Sequence, residues 1–233
     1  MTDSKLPDLP PREKSSDLEH VYSALKQSIM MGEFEPGQKL KLTELAEVFG
    51  TSHMPIREAL GRLATAGALE WAQRRSMSVP SAELGRLRGI LSLRIDLESK
   101  AARLAVERRP VDLLDRLLRA NATMDREAAS ATPRIKNYLA ANHTFHFSLY
   151  RASGNQDLVD LIEILWMRYG PLLNLLRKSN APFFWHGHHA DLIAAVKVAD
   201  LEGAAAALTA DLKDAASLIS QELEVMPAQA ATN

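Results

Sequence analysis

Cysteine is absent from these 233 residues. That excludes disulfides and thiolate metal sites, and it fits a reducing compartment. Long apolar runs are missing too. No stretch reaches the roughly 18 apolar residues a membrane-crossing helix needs. The opening stretch, MTDSKLPDLPPREKSSD, has charges and prolines but no apolar segment of the secretory kind. It reads as a disordered tail in a cytoplasmic protein. Charge of one sign is lacking as well. The net charge is −1, and residues 1–80 carry 10 Lys and Arg against 11 Asp and Glu. Bulk attraction to a polyanion is therefore excluded, and any nucleic-acid contact has to come from local placement of charge.

What is present suits a packed fold: 46% of residues are hydrophobic and 24% charged, an ordinary balance for a globular chain with a sizeable core. Leu18, Val21, Tyr22, Leu25 and Ile29 recur on one helical face. Pro36-Gly37 then makes a turn, and Leu40 to Leu42 reads as extended. Thr43 is placed to cap a short helix over Glu44 to Phe49, which Gly50 ends. Ser52 is the expected N-cap of the next helix, with Pro55 in its first turn, where a missing N–H costs nothing. Ile56, Leu60 and Leu63 form its buried stripe, and Gly67 stops it. Ala68 to Ala72 and Met77 to Val79 read as a β-hairpin tipped by Arg74 and Arg75.

After Pro80 the pattern turns wholly helical. Segments run from Glu83 to Glu107, Val111 to Glu127, Arg134 to Ala152, Gln156 to Ser179, about Phe183 to Val198, and Leu201 to Glu224. Gly170-Pro171 is the expected kink of the fourth. The fold is thus expected to be mainly α: a winged helix-turn-helix of three helices and a small hairpin over 15–80, then an all-α six-helix bundle over 81–226. Residues 1–14 and 227–233 are expected to be tails.

In a winged helix-turn-helix the second helix of the motif enters the major groove, with its first residues near base edges. Arg57 lies one position off the Ile56, Leu60, Leu63 stripe, so it points outward there. A lone helical arginine is usually just a solvated face. Here the cap, the first-turn proline and the hairpin all agree on a DNA role. Ser52, His53, Arg57, Arg62, Arg74 and Arg75 are the candidate DNA-binding residues.

The chain resembles the GntR family of transcription regulators in IMMGEFEPGQKL (29–40), LAEVFGTS (45–52), PIREALGRL (55–63) and GAL (67–69). It departs where His53 replaces the usual arginine, where Thr43 stands in place of another arginine, and where Ser76 replaces the wing glycine. The later part resembles the FCD effector-binding domain of the FadR branch in RIDLE (94–98), AARLA (101–105), NHTFH (142–146), SGNQDL (153–158) and HADLIAAVKVAD (189–200).

Taken alone, Arg94 and Glu98 at i, i+4 read as a surface pair worth a few tenths of a kcal/mol. His146 reads as a core histidine, and the tract from Trp185 to His189 as a polar loop as readily as a metal site. The resemblance implies more. It implies that Asn142, His146, His189 and Asp211 hold a divalent metal. Zn²⁺, Ni²⁺, Mn²⁺ and Fe²⁺ all suit such a mixed nitrogen and oxygen set. It also implies that a small organic or sugar acid docks on that metal and on Arg94; the alternative is a metal-free pocket in which Arg94, His146 and His189 hold the acid directly. Asn142 replaces the usual aspartate, and Asp211 the usual last histidine. The expected function is a homodimeric, effector-responsive regulator bound to operator DNA, a repressor released by its acid. A metal-dependent hydrolase and a helical interaction protein are the alternatives.

Overall fold

The computed structural model describes residues 16–71, 76–131, 134–178 and 187–225. Helix α1 (Ser16–Met30) buries Leu18, Val21, Leu25 and Ile29, the stripe its periodicity predicts. Strand β1 (Lys39–Leu40) follows, then α2 (Leu42–Phe49) and α3 (His53–Thr65). Strands β2 (Glu70–Trp71) and β3 (Met77–Ser78) complete the unit.

Gly67 closes α3 at φ 71°. Its N–H bonds Ala64 O (2.9 Å) and Ala68 N–H bonds Leu63 O (3.0 Å), the paired bonds of a left-handed helix stop. Three details differ from expectation. Leu42 is helical, so the extended piece is confined to Lys39 and Leu40. Thr43 lies inside the first turn of α2, and Lys41 holds the N-cap position without a side-chain capping bond. The hairpin is part of a three-stranded antiparallel sheet in the order β1-β3-β2, with Met77 facing both Leu40 and Trp71.

The bundle consists of α4 (Leu84–Arg108), α5 (Leu113–Ala128), α6 (Ile135–Ala152), α7 (Gln156–Lys178), α8 (Gly187–Val198) and α9 (Leu201–Val225). Helix α4 is central and packs on α6, α7 and α9. Arg109 takes a left-handed φ of 35° to end α4 just before Pro110, which cannot continue it. Helix α7 runs unbroken through Gly170-Pro171. Residues 183–186, expected to open the fifth helix, lie outside the described residues. Among the described residues no helix is long and apolar enough to cross a membrane.

The N-terminal unit is held against the bundle by α7. Gly170 passes so close to α1 that a Cβ there would sit 2.1 Å from Ile29 O. Asn174 Nδ2 donates to Gly32 O (2.8 Å), and Arg168 Nε donates to Ala66 O (2.8 Å) at the end of α3. Arg86 of α4 adds a bond to Gly67 O (3.1 Å). Carbonyls at a helix end lack intrahelical donors, so they are natural acceptors for these side chains.

Candidate nucleic-acid interface and candidate metal centre

Two groups of expected site residues fall at opposite ends of the chain's path. At the first, Ser52 caps α3 in extended conformation with no side-chain capping bond, leaving first-turn N–H groups open to an outside acceptor. Ser52, His53 and Arg57 are all exposed. Arg57 has no hydrogen-bond or ion-pair partner among the described residues. Arg62 is placed differently. Its Nη1 is 2.8 Å from Glu19 and its Nη2 3.0 Å from Glu58, with the guanidinium 5.8 Å from the Tyr22 ring centre. It holds α3 against α1. Arg74 and Arg75 lie outside the described residues.

At the second, α6, α8 and α9 bring three side chains to one buried point. His146 Nε2 is 3.3 Å from His189 Nε2 and 3.4 Å from Asp211 Oδ2. His189 Nε2 is 3.5 Å from Asp211 Oδ1. One ligand atom from each of the three lies within 4.8 Å of the others, and all three residues are buried. Asn142 is half-buried one turn before His146 on α6. His188 is turned elsewhere, 2.9 Å from Asp214.

Electrostatics favour ligation. Burial, then the neighbouring His189, holds His146 well below the usual histidine range, so its imidazole is neutral at pH 7. Burial, partly offset by the Arg94 charge, pushes the Asp211 carboxyl up to about 7. Neutral imidazole with an ionisable carboxylate is the donor set that divalent transition ions take.

A second layer orients His146. Tyr150 donates its hydroxyl to Glu98 Oε2, and burial raises its pKa well above the ordinary value, so it keeps its proton. Its oxygen therefore accepts from His146 Nδ1 (3.2 Å). That fixes the proton on Nδ1 and turns the Nε2 lone pair toward His189 and Asp211.

Arg94 and Glu98 are not on the surface. They are 3% and 0% exposed, with Arg94 Nε 2.6 Å from Glu98 Oε1. Trp166 Nε1 also donates to Glu98 (3.2 Å). The Arg94 guanidinium stacks between Trp166 (4.7 Å) and Tyr169 (4.3 Å). Burial alone would pull the Arg94 pKa down; the Glu98 carboxylate, Tyr169 and Tyr150 together outweigh it and the net shift is upward. The Tyr169 hydroxyl is buried beside the Arg94 guanidinium; burial pushes its pKa up to about 12, and the Arg94 charge and hydrogen bond only partly offset this. The sequence reading missed Tyr150, Trp166 and Tyr169. A signal existed for Tyr150, which stands at i+4 from His146, but aromatic residues at helical spacing usually mean only core.

Residues 18–79 match the bacterial regulatory proteins of the gntR family, and residues 89–214 match the FCD domain. The FCD match alone spans more than half of the chain.

The chain is a GntR-family regulator with an FCD domain.

Among its relatives is the HTH-type transcriptional regulator McbR of Escherichia coli, 34% identical over 78% of this chain and 83% of McbR. The HTH-type transcriptional repressor GlaR of the same organism is 24% identical over 87% of this chain and 95% of GlaR. The solved structure of McbR/YncC superimposes with a TM-score of 0.83 at 29% identity, covering 89% of this chain and 99% of that one. Being a GntR-family regulator, the chain is a DNA-binding transcription factor and not a hydrolase, which removes the enzyme alternative.

Proposed function

We propose that this GntR-family regulator is a cytoplasmic homodimer and a repressor, released from its operator by a small carboxylate bound in the bundle. The observation that carries the reading is the buried convergence of His146, His189 and Asp211. With Asn142 one turn away, these residues would hold Zn²⁺, Ni²⁺ or Mn²⁺. Such an ion supplies a Lewis-acidic anchor for a carboxylate. Arg94 supplies the fixed guanidinium beside it. Glu98 engages two of its five N–H donors, which leaves others for an acid. The Tyr169 hydroxyl accepts from Arg94 and still has its own proton to donate to the same ligand.

At the other end, Ser52, His53 and Arg57 face operator DNA; Arg74 and Arg75, which lie outside the described residues, complete the candidate set. Arg62 supports α3 from behind. Coupling between the two ends follows the two faces of α7. Trp166 and Tyr169 touch Arg94 and Glu98, while Arg168 and Asn174 grip the backbone after α3 and α1. An acid that re-seats Arg94 shifts α7, and α7 carries the recognition helix with it. The acid must bind one arrangement better than the other for this to work.

A thermal-shift screen of organic and sugar acids, with and without divalent metal, tests the sensor. Metal should raise the melting temperature, and one acid should raise it further only when metal is present. A protein unmoved by every metal would overturn the metal reading. An acid whose shift survives Arg94→Ala would overturn the role of Arg94.

A further inference from the structure

Between α3 and the sheet lies a cleft of about 510 Å³ that none of the foregoing assigns. Its lining includes Lys39, Lys41, Arg57, Leu60, Trp71 and Ser76, and no acidic residue among the described residues. We infer that this cleft holds the sugar-phosphate backbone of one DNA strand, with Lys39 and Arg57 on a phosphate and Trp71 against the adjoining deoxyribose and phosphate. The inference rests on the DNA-binding reading of the chain and adds new residues to it.

The first argument is geometric. A recognition helix lies in the major groove, and the wing lies beside it over the flanking minor groove. The two grooves of a duplex are separated by a single backbone strand. That strand therefore has to cross the gap between α3 and the wing strands, which is where this cleft opens.

The second argument is chemical. Arg57 and Lys39 have no ion-pair or hydrogen-bond partner among the described residues, so two cations face the cleft uncompensated. Lys41 differs, since its Nζ is 2.6 Å from Glu44 and its charge is already answered. Trp71 is 64% exposed on a two-residue strand, although a large indole gains more by burial. Its ring offers an apolar face for a sugar and one N–H for a phosphate oxygen. Phosphate contacts of this kind fix register and carry no sequence information. Arg57 is thereby drawn to the backbone, and base reading falls to the outermost first-turn residues Ser52 and His53.

The test is binding of the full chain to a random-sequence duplex and to its own upstream DNA, by fluorescence anisotropy across a salt series. Each cation on a phosphate contributes about 0.9 to the slope of log K against log salt for duplex DNA. Lys39→Ala and Arg57→Ala should each lower the slope by about one, on both duplexes. Lys41→Ala should lower it much less. Trp71→Ala should weaken binding roughly tenfold on both duplexes with the slope unchanged, the loss expected of a hydrogen bond to a charged group. Trp71→Phe, which keeps a ring but not the N–H, should fall between. Circular dichroism melts confirm that these surface variants fold. Wild-type slopes and affinities for Lys39→Ala and Trp71→Ala would overturn the cleft while leaving DNA binding intact. Loss confined to the upstream DNA would overturn it too, since a base contact would then be responsible. Failure of the wild type to bind either duplex at low salt would overturn DNA binding itself.

Discussion

Replacing Glu98 by alanine removes the acceptor of four hydrogen bonds, from Arg94 Nε, Arg94 Nη2, Trp166 Nε1 and the Tyr150 hydroxyl. It also strands the Arg94 charge, which is 3% exposed, in the bundle interior. Breaking a buried ion pair from one side costs about 3–5 kcal/mol. Each neutral donor left dry adds about 1–3 kcal/mol when no water reaches it. These penalties overlap, because one admitted water relieves several groups, so a total of about 4–6 kcal/mol is expected. For a chain of this size that corresponds to a fall in melting temperature of roughly 8–24 °C. The double variant Arg94→Met with Glu98→Leu removes both charges and leaves apolar groups of similar volume. Such replacements are often neutral, so it should recover at least about 3 kcal/mol over Glu98→Ala. Urea unfolding followed by circular dichroism measures both, provided the slope against denaturant stays constant. A Glu98→Ala loss below about 1 kcal/mol, or a double-variant cost equal to the summed single costs, would refute the buried pair.

Three further outcomes follow from the same geometry. Arg168→Ala should leave metal and acid binding intact by calorimetry while cutting the acid's effect on DNA affinity, because only its bond to Ala66 O is lost; an unchanged response would remove α7 as the coupling element. Gly170→Ala should destabilise by more than about 1 kcal/mol in a melt, although alanine ordinarily favours a helix, because the new methyl meets Ile29 O and Met30 Cα; a neutral or stabilising result would contradict the close crossing of α1 and α7. Burial raises the folded Asp211 pKa to about 7, above its value in the unfolded chain. A group raised in this way loses its contribution as pH rises. Metal-free wild type should therefore lose stability relative to Asp211→Asn between about pH 4 and pH 7, and the gap should level off above that. A difference between the two that does not change with pH would contradict the burial of that carboxyl.

Most of the architecture was legible because helix period and stop signals are local. The Ile56, Leu60, Leu63 stripe and Gly67 gave α3, and five of the bundle helices lie close to their expected limits, while the expected opening of the fifth falls outside the described residues. An extended piece at Leu40 is expected from the sequence, but its pairing with β3 was not legible, since two residues such as Lys39 and Leu40 carry no period. The environment of Arg94 was equally hidden. Spacing of i, i+4 looks the same on a surface and in a core, and only the packing of Trp166 and Tyr169 from α7 makes this pair buried. The convergence of His146, His189 and Asp211 had no sequence-local signal either, because α6, α8 and α9 contribute one residue each. The family resemblance pointed to them, and the packing of those helices brings them together.

On the proposed function, an anion at this buried centre weakens the grip on DNA. The direct measurement is affinity for the chain's own upstream duplex, by anisotropy with divalent metal present, as the acid identified by thermal shift is titrated. The wild type should lose at least about tenfold in affinity at saturating acid, a coupling within the usual range, and Arg94→Ala should lose none. An acid that binds the bundle yet leaves wild-type DNA affinity unchanged, or weakens Arg94→Ala equally, would contradict that function.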